Sequence, residues 1–94
     1  MKFMVQSEQA RQLDDEERAE LYKRMGEFYG GIPEGVTLEC DYIRADRLGS
    51  WSVLDVPDRA TLDGILAPFD GYVRVTVTEL VSGADGLGEA PPGS

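Results

Sequence analysis

The sequence predicts an α+β protein: a four-stranded antiparallel sheet with both helices on one face. Three observations carry this. Ser50 to Val56 reads as a strand and runs into Pro57-Asp58, a strand stop followed by a helix N-cap. Tyr72 to Leu80 alternates after one short helix, with Val73, Val75 and Val77 on one face and Tyr72, Arg74, Thr76 and Thr78 on the other. A strand, a helix and a further strand precede these, so the element order is β-α-β-β-α-β.

The elements follow in turn. Lys2 to Ser7 is a short apolar-centred strand, expected near the middle of the sheet because a terminal strand frays unless tied down. Asp14 and Glu17 stand at capping-box spacing and open a helix running to about Tyr29. Leu21, Tyr22, Met25, Phe28 and Tyr29 form one apolar stripe on it, with the spacing of a core-packing face; a ligand role for Tyr22 or Tyr29 is the lesser reading. Gly30-Gly31 is placed to end that helix in the left-handed conformation. Val36 to Arg44 alternates, with Val36, Leu38, Cys40 and Tyr42 on one face and Thr37, Glu39 and Asp41 on the other. The turn Asp46-Arg47-Leu48-Gly49 leads into the third strand. Leu62, Ile65, Leu66 and Phe69 give the second helix its core face, closed by Pro68 and Gly71. One domain is therefore expected over residues 1–82. Residues 83–94 are rich in Gly, Ala, Asp and Pro, and read as a flexible or partner-docked tail.

Composition narrows the function. The 94 residues carry a net charge of −9, which speaks against nucleic acid as a partner, since that needs a basic footprint. No stretch approaches the ~20 apolar residues of a membrane span. The single cysteine, Cys40, rules out a disulfide within the chain, fits a cytoplasmic setting and is expected to be a small buried hydrophobe. With no histidine in the sequence, Ser-His-Asp and Cys-His catalysis in their usual forms are excluded. No carboxylate cluster has metal-ligand spacing and no glycine-rich loop would cradle phosphate, so neither metal nor cofactor is expected. Acid–base work falls to carboxylates, tyrosine, the thiol or water.

The alternation leaves one sheet face without a helix to cover it. That face carries Arg74 and Thr76, and the strand aromatics Tyr42, Trp51 and Tyr72 are large for a wet surface, which points to a dimer interface or a ligand cavity. Ser50-Trp51-Ser52-Val53-Leu54-Asp55-Val56, the helix after it, and Tyr72 to Leu80 resemble the muconolactone isomerase-like branch of the dimeric α+β barrel superfamily, as does the opening Met1 to Val5. The resemblance implies ferredoxin-like protomers whose open sheet faces pair into a barrel, as a homodimer or higher homo-oligomer. It implies activities such as isomerisation, polyketide cyclisation or cofactor-free monooxygenation. The lack of histidine separates this chain from the haem branches and from many of the monooxygenases.

The expected function is cofactor-independent proton transfer, an isomerisation or polyketide-type cyclisation, on an unsaturated or aromatic small molecule. In this scheme a strand carboxylate, Asp41 or Glu39, moves the proton, since strand acids are uncommon and a desolvated one has a raised pKa. Asp55 is a third strand acid. Arg74 and Tyr72 stabilise enolate charge, and Trp51, Tyr42 and Thr76 hold the substrate. The competing role of Arg74 is an ion pair with Glu39, Asp41 or Glu79. The alternative functions are a cofactor-free monooxygenase and a non-catalytic binding or assembly protein of the same fold.

Overall fold

A computed structural model describes residues 1–88. Its elements are β1 (Lys2–Gln9), α1 (Asp15–Gly30), β2 (Thr37–Ile43), β3 (Gly49–Asp55), α2 (Arg59–Leu66), β4 (Val73–Leu80) and α3 (Gly83–Gly88), with a 3-10 turn, Ala67–Phe69, prolonging α2. The strands form one antiparallel sheet in the order β2-β3-β1-β4. This is the ferredoxin-like arrangement, with β1 central as expected.

Local chemistry sets the helix starts. Asp14 Oδ1 accepts from the Glu17 amide at 2.8 Å while Glu17 Oε1 accepts from the Asp14 amide at 3.2 Å, a complete capping box. Asp58 Oδ1 accepts from both the amide and the hydroxyl of Thr61, each at 2.8 Å. The end of α1 differs from expectation. Gly31 has φ −146°, outside the left-handed region, and its amide reaches the Phe28 carbonyl at 3.2 Å. A tightened last turn ends the helix in place of a left-handed cap. Within the expected tail, Gly83–Gly88 forms a single short helix, started by Ser82 Oγ accepting from the Asp85 amide at 3.1 Å. The rest of that tail, residues 89–94, lies outside the described residues.

The core is lopsided. Phe3, Val5, Leu54, Val56 and Leu62 make the buried cluster, and Leu62 on α2 is completely enclosed. α1 contributes no buried residue. Its apolar stripe was expected to pack as core. Only Phe28 of the stripe packs against that cluster; the stripe otherwise faces sheet positions occupied by Ser7, Ser50, Ser52 and Asp41, side chains too small or too polar to fill the gap. Beneath α2 the corresponding positions are Phe3, Leu54 and Val56, and there the sheet and helix close.

β2 departs from simple alternation. Leu38 pairs with Leu54, but the next pair is Cys40 with Val53, so Glu39 is an extra residue in a β-bulge. Beyond the bulge the parity inverts. Asp41 and Ile43 turn toward the helices, and Cys40 and Tyr42 turn away. Cys40 is exposed, not buried as its chemistry suggested.

Candidate functional site

The unfilled space beneath α1 is a cavity of about 970 Å³. The α1 stripe (Leu21, Tyr22, Met25, Phe28 and Tyr29) forms its roof. Its floor is the helix-facing side of the sheet, apolar at Val5, Leu54 and Val75 and polar at Ser7, Ser50, Ser52 and Asp41. An apolar chamber with a few convergent polar groups is the usual form of a small-molecule site.

Asp41 is the centre of the polar group. Its Oδ1 accepts from the Ser52 hydroxyl at 2.6 Å, and its Oδ2 accepts from the Tyr29 hydroxyl. Ser52 is its direct neighbour on β3, and Tyr29 comes from the last turn of α1, so the trio ties roof to floor. Nearer the β2–β3 turn on the same face of β1 and β3, Ser7 and Ser50 share a hydroxyl–hydroxyl bond of 2.6 Å. Burial, reinforced by the hydrogen bond to Asp41, pushes the Tyr29 phenol up to about 12. Tyr29 is therefore a neutral hydrogen-bond donor throughout the physiological range.

That shift has a testable sign. A group whose pKa is raised by folding stabilises the fold fully below its unfolded pKa, near 10, and loses that contribution as pH rises through the folded value. Unfolding free energy should therefore fall between pH 10 and 12 by about 1 kcal/mol, less than the full shift implies because the ring is 43% exposed. Urea titrations across that window should show the slope in the wild type and a flatter profile in Tyr29→Phe. Equal slopes would mean that Tyr29 is not held as described.

The sequence-predicted residues divide between the two faces of the sheet. Of the residues in the proton-transfer scheme, Asp41 alone lines the cavity. Arg74 projects from the open face of β4 with 74% of its side chain exposed, 3.9 Å from Glu8 and not from Glu39, Asp41 or Glu79. Thr76, exposed on the same strand, sits opposite Gln6. Tyr42 and Trp51 are cross-strand neighbours on the open face, 72% and 52% exposed. Glu39 is bound to Lys2 at 3.0 Å. Tyr72 precedes β4, and its ring lies under the Arg24 guanidinium of α1 at 5.2 Å, so it does not share a face with Arg74. Within the chain the structure thus separates Asp41 from Arg74, Tyr72 and Trp51. It brings Asp41 together with Tyr29, for which a ligand role was the lesser reading of the α1 stripe, and with Ser52, to which no role was assigned from the sequence. The visible signal was Ser50 and Ser52, serines at two successive helix-facing positions before the apolar Leu54.

Among the described residues, no group of three or more His, Cys, Asp or Glu side chains could hold a metal ion, and no helix is long and apolar enough to cross a membrane. The family described as a domain of unknown function, DUF3303, matches residues 1–88. The chain belongs to this family. The DUF3303 match takes in every element of the fold, from β1 through α3, and so includes the whole cavity. No curated protein matches the chain.

Proposed function

We propose that this DUF3303 protein binds an unsaturated or aromatic small molecule beneath α1 and moves a proton on it without a cofactor, as an isomerase or cyclase does. The observation that carries the proposal is a carboxylate, Asp41, set in a largely apolar cavity beside a phenol that stays protonated. Asp41 would take a proton from carbon next to a carbonyl, leaving an enolate. Tyr29 would shift its hydrogen bond from Asp41 to the enolate oxygen, and Asp41 would return the proton to a different carbon; for cyclisation, the enolate carbon would instead add to a second carbonyl carbon of the substrate, and the alkoxide formed there would take the proton from Asp41. The resemblance to the muconolactone isomerase-like branch supports this chemistry. The test is proton NMR in D2O on a panel of β,γ-unsaturated ketones and 1,3-diketones. Faster loss of α-proton signal than in buffer is expected for at least one compound, by tenfold or more in order of magnitude. Binding without acceleration across the panel would overturn the catalytic role.

One observation favours a purely binding function. Both oxygens of Asp41 are already occupied, by Ser52 and Tyr29, as suits a carboxylate that pins α1 to the sheet. The same panel separates the two readings, since a pinned carboxylate would accelerate nothing.

We also propose that the open sheet face pairs with a second copy of the chain. It presents Trp51 and Tyr42 exposed, and it mixes Lys2 and Arg74 with Glu8 and Glu39, charges that a two-fold partner can complement. Four strands of seven or eight residues span roughly 24 Å by 19 Å, enough with side-chain relief to bury about 1,200 Å² in total, the lower end for a stable dimer. Light scattering at micromolar concentration should give twice the 10.3 kDa chain mass, and Trp51→Glu should halve it. A monomeric wild type over that range would remove the barrel. A cytoplasmic setting fits the single, unpaired and exposed Cys40.

A further inference from the structure

The cavity has a mouth unlike the rest of the molecule. The chain carries 9 cationic and 18 acidic side chains, yet the cavity is lined by four arginines, Arg11, Arg18, Arg44 and Arg47, against three acids, Glu8, Asp41 and Asp46. The arginines come from two neighbouring segments. Arg11 and Arg18 flank the start of α1, and Arg44 and Arg47 belong to the β2–β3 turn. These segments meet at one end of the sheet, where the Gln9 amide donates to the Leu48 carbonyl at 2.8 Å. Three of the arginines have carboxylate partners: Arg11 with Glu17, Arg18 with Asp15, and Arg44 with Asp46. Arg47 has none within 4.0 Å among the described residues.

A second observation falls on the same residue. Arg47 has φ 67°, the left-handed region, and is the only non-glycine residue there among the described residues. That conformation favours Gly or Asn, and a long side chain held in it costs roughly 1 kcal/mol relative to them. A turn that needs only to close the hairpin would do better without arginine. Strain of this kind at a cavity mouth is a pointer to function.

We propose that the ligand of this cavity is an organic acid: a flat, apolar body beneath α1 and a carboxylate at the mouth, held by Arg47 with Arg44 beside it. This rests on the small-molecule reading of the cavity and adds the class of ligand. The guanidinium of Arg47 matches a carboxylate in geometry and lacks a competing partner. The arrangement also fixes polarity. With its head at the mouth, the acid's body extends past the Ser7–Ser50 pair toward Asp41 and Tyr29. The reacting carbon then lies away from the ligand's own charge, and Asp41 is not opposed by a second carboxylate at close range.

The probes are 2-naphthoate and 2-naphthamide, which share a body and differ by the charge on the head. Dissociation constants come from NMR titration at low salt. The wild type should bind the naphthoate about tenfold more tightly than the amide, and added salt should shrink the gap. Arg47→Asn should fold at least as well, since asparagine tolerates the left-handed turn. It should bring the two affinities to within about twofold and leave the amide unchanged. Arg44→Gln should reduce the gap in part. Arg74→Asn removes the same charge from the other face and should leave the gap intact. Equal wild-type affinities, or an equal loss in Arg74→Asn, would overturn the carboxylate site while amide binding kept the cavity reading alive. A wild type that bound neither probe would overturn the cavity reading itself, and this proposal with it.

Discussion

Leu62→Ala is expected to destabilise the protein by about 3–5 kcal/mol, in line with large-to-small changes at sites that cannot collapse. Leu62 is 0% exposed, wedged between α2 and the strands carrying Phe3, Leu54 and Val56. Those neighbours sit on a hydrogen-bonded sheet and cannot move in to fill the space. A domain of this size has only about 5–15 kcal/mol in total, so the loss is a large fraction of the whole and should lower Tm by roughly 15–30 °C. The informative partner is Met25→Ala on α1. Met25 faces the cavity and is only half-buried, so its truncation widens an existing space and should cost less than about 1.5 kcal/mol. Urea unfolding of both variants measures the contrast. Equal losses would mean that α1 packs as tightly as α2, and the cavity would not exist in solution.

That contrast also shows why the fold could be read from sequence more readily than the space inside it. The capping residues Asp14 and Asp58, the valine face of β4 and the strand-to-helix switch at Pro57 are local signals. Each acts through neighbours within four or five positions, and each led to the observed element. The stripe on α1 was equally legible as a pattern, but a stripe states only that one face avoids water. Whether it meets Leu and Val or Ser and Asp depends on which strand residues lie opposite, which is a tertiary fact. The serines of β3 carried that information, and they count only once Ser50 and Ser52 are known to share a face with Asp41.

The bulge at Glu39 explains the largest difference at the site. Strict alternation through β2 groups Asp41 with Glu39 and opposes both to Leu38. One extra residue, placed where Glu39 can reach across to Lys2 on β1, inverts everything after it. No glycine or proline marks the position, so the inversion left no local trace in the sequence. Arg74 shows the opposite case. Its face was predicted correctly from alternation, but that face lies across the sheet from the cavity, so correct parity did not bring it to Asp41.

Asp41→Asn is the decisive test of the proposed chemistry, and the result expected from it is a loss of proton-exchange rate of about 10²–10⁴ with the fold intact. Asparagine matches the carboxylate in shape, and its amide oxygen can still accept from Tyr29 while Ser52 turns its hydroxyl to accept from the amide nitrogen. Both ties between roof and floor then persist. What is lost is the ability to take up a proton. Tyr29→Phe removes the donor to the enolate instead, and should cost about 10²–10³, the range for one oxyanion donor. Arg74→Asn should leave the rate unchanged, because it acts on the other side of the sheet. If Asp41→Asn exchanged protons at the wild-type rate while Arg74→Asn did not, the chemistry would belong to the open face, inside a paired barrel. If Asp41→Asn lowered Tm as sharply as Leu62→Ala, Asp41 would be chiefly the pin between α1 and the sheet. Rate and stability measured together on these three variants therefore assign the cavity a catalytic role, a binding role, or neither.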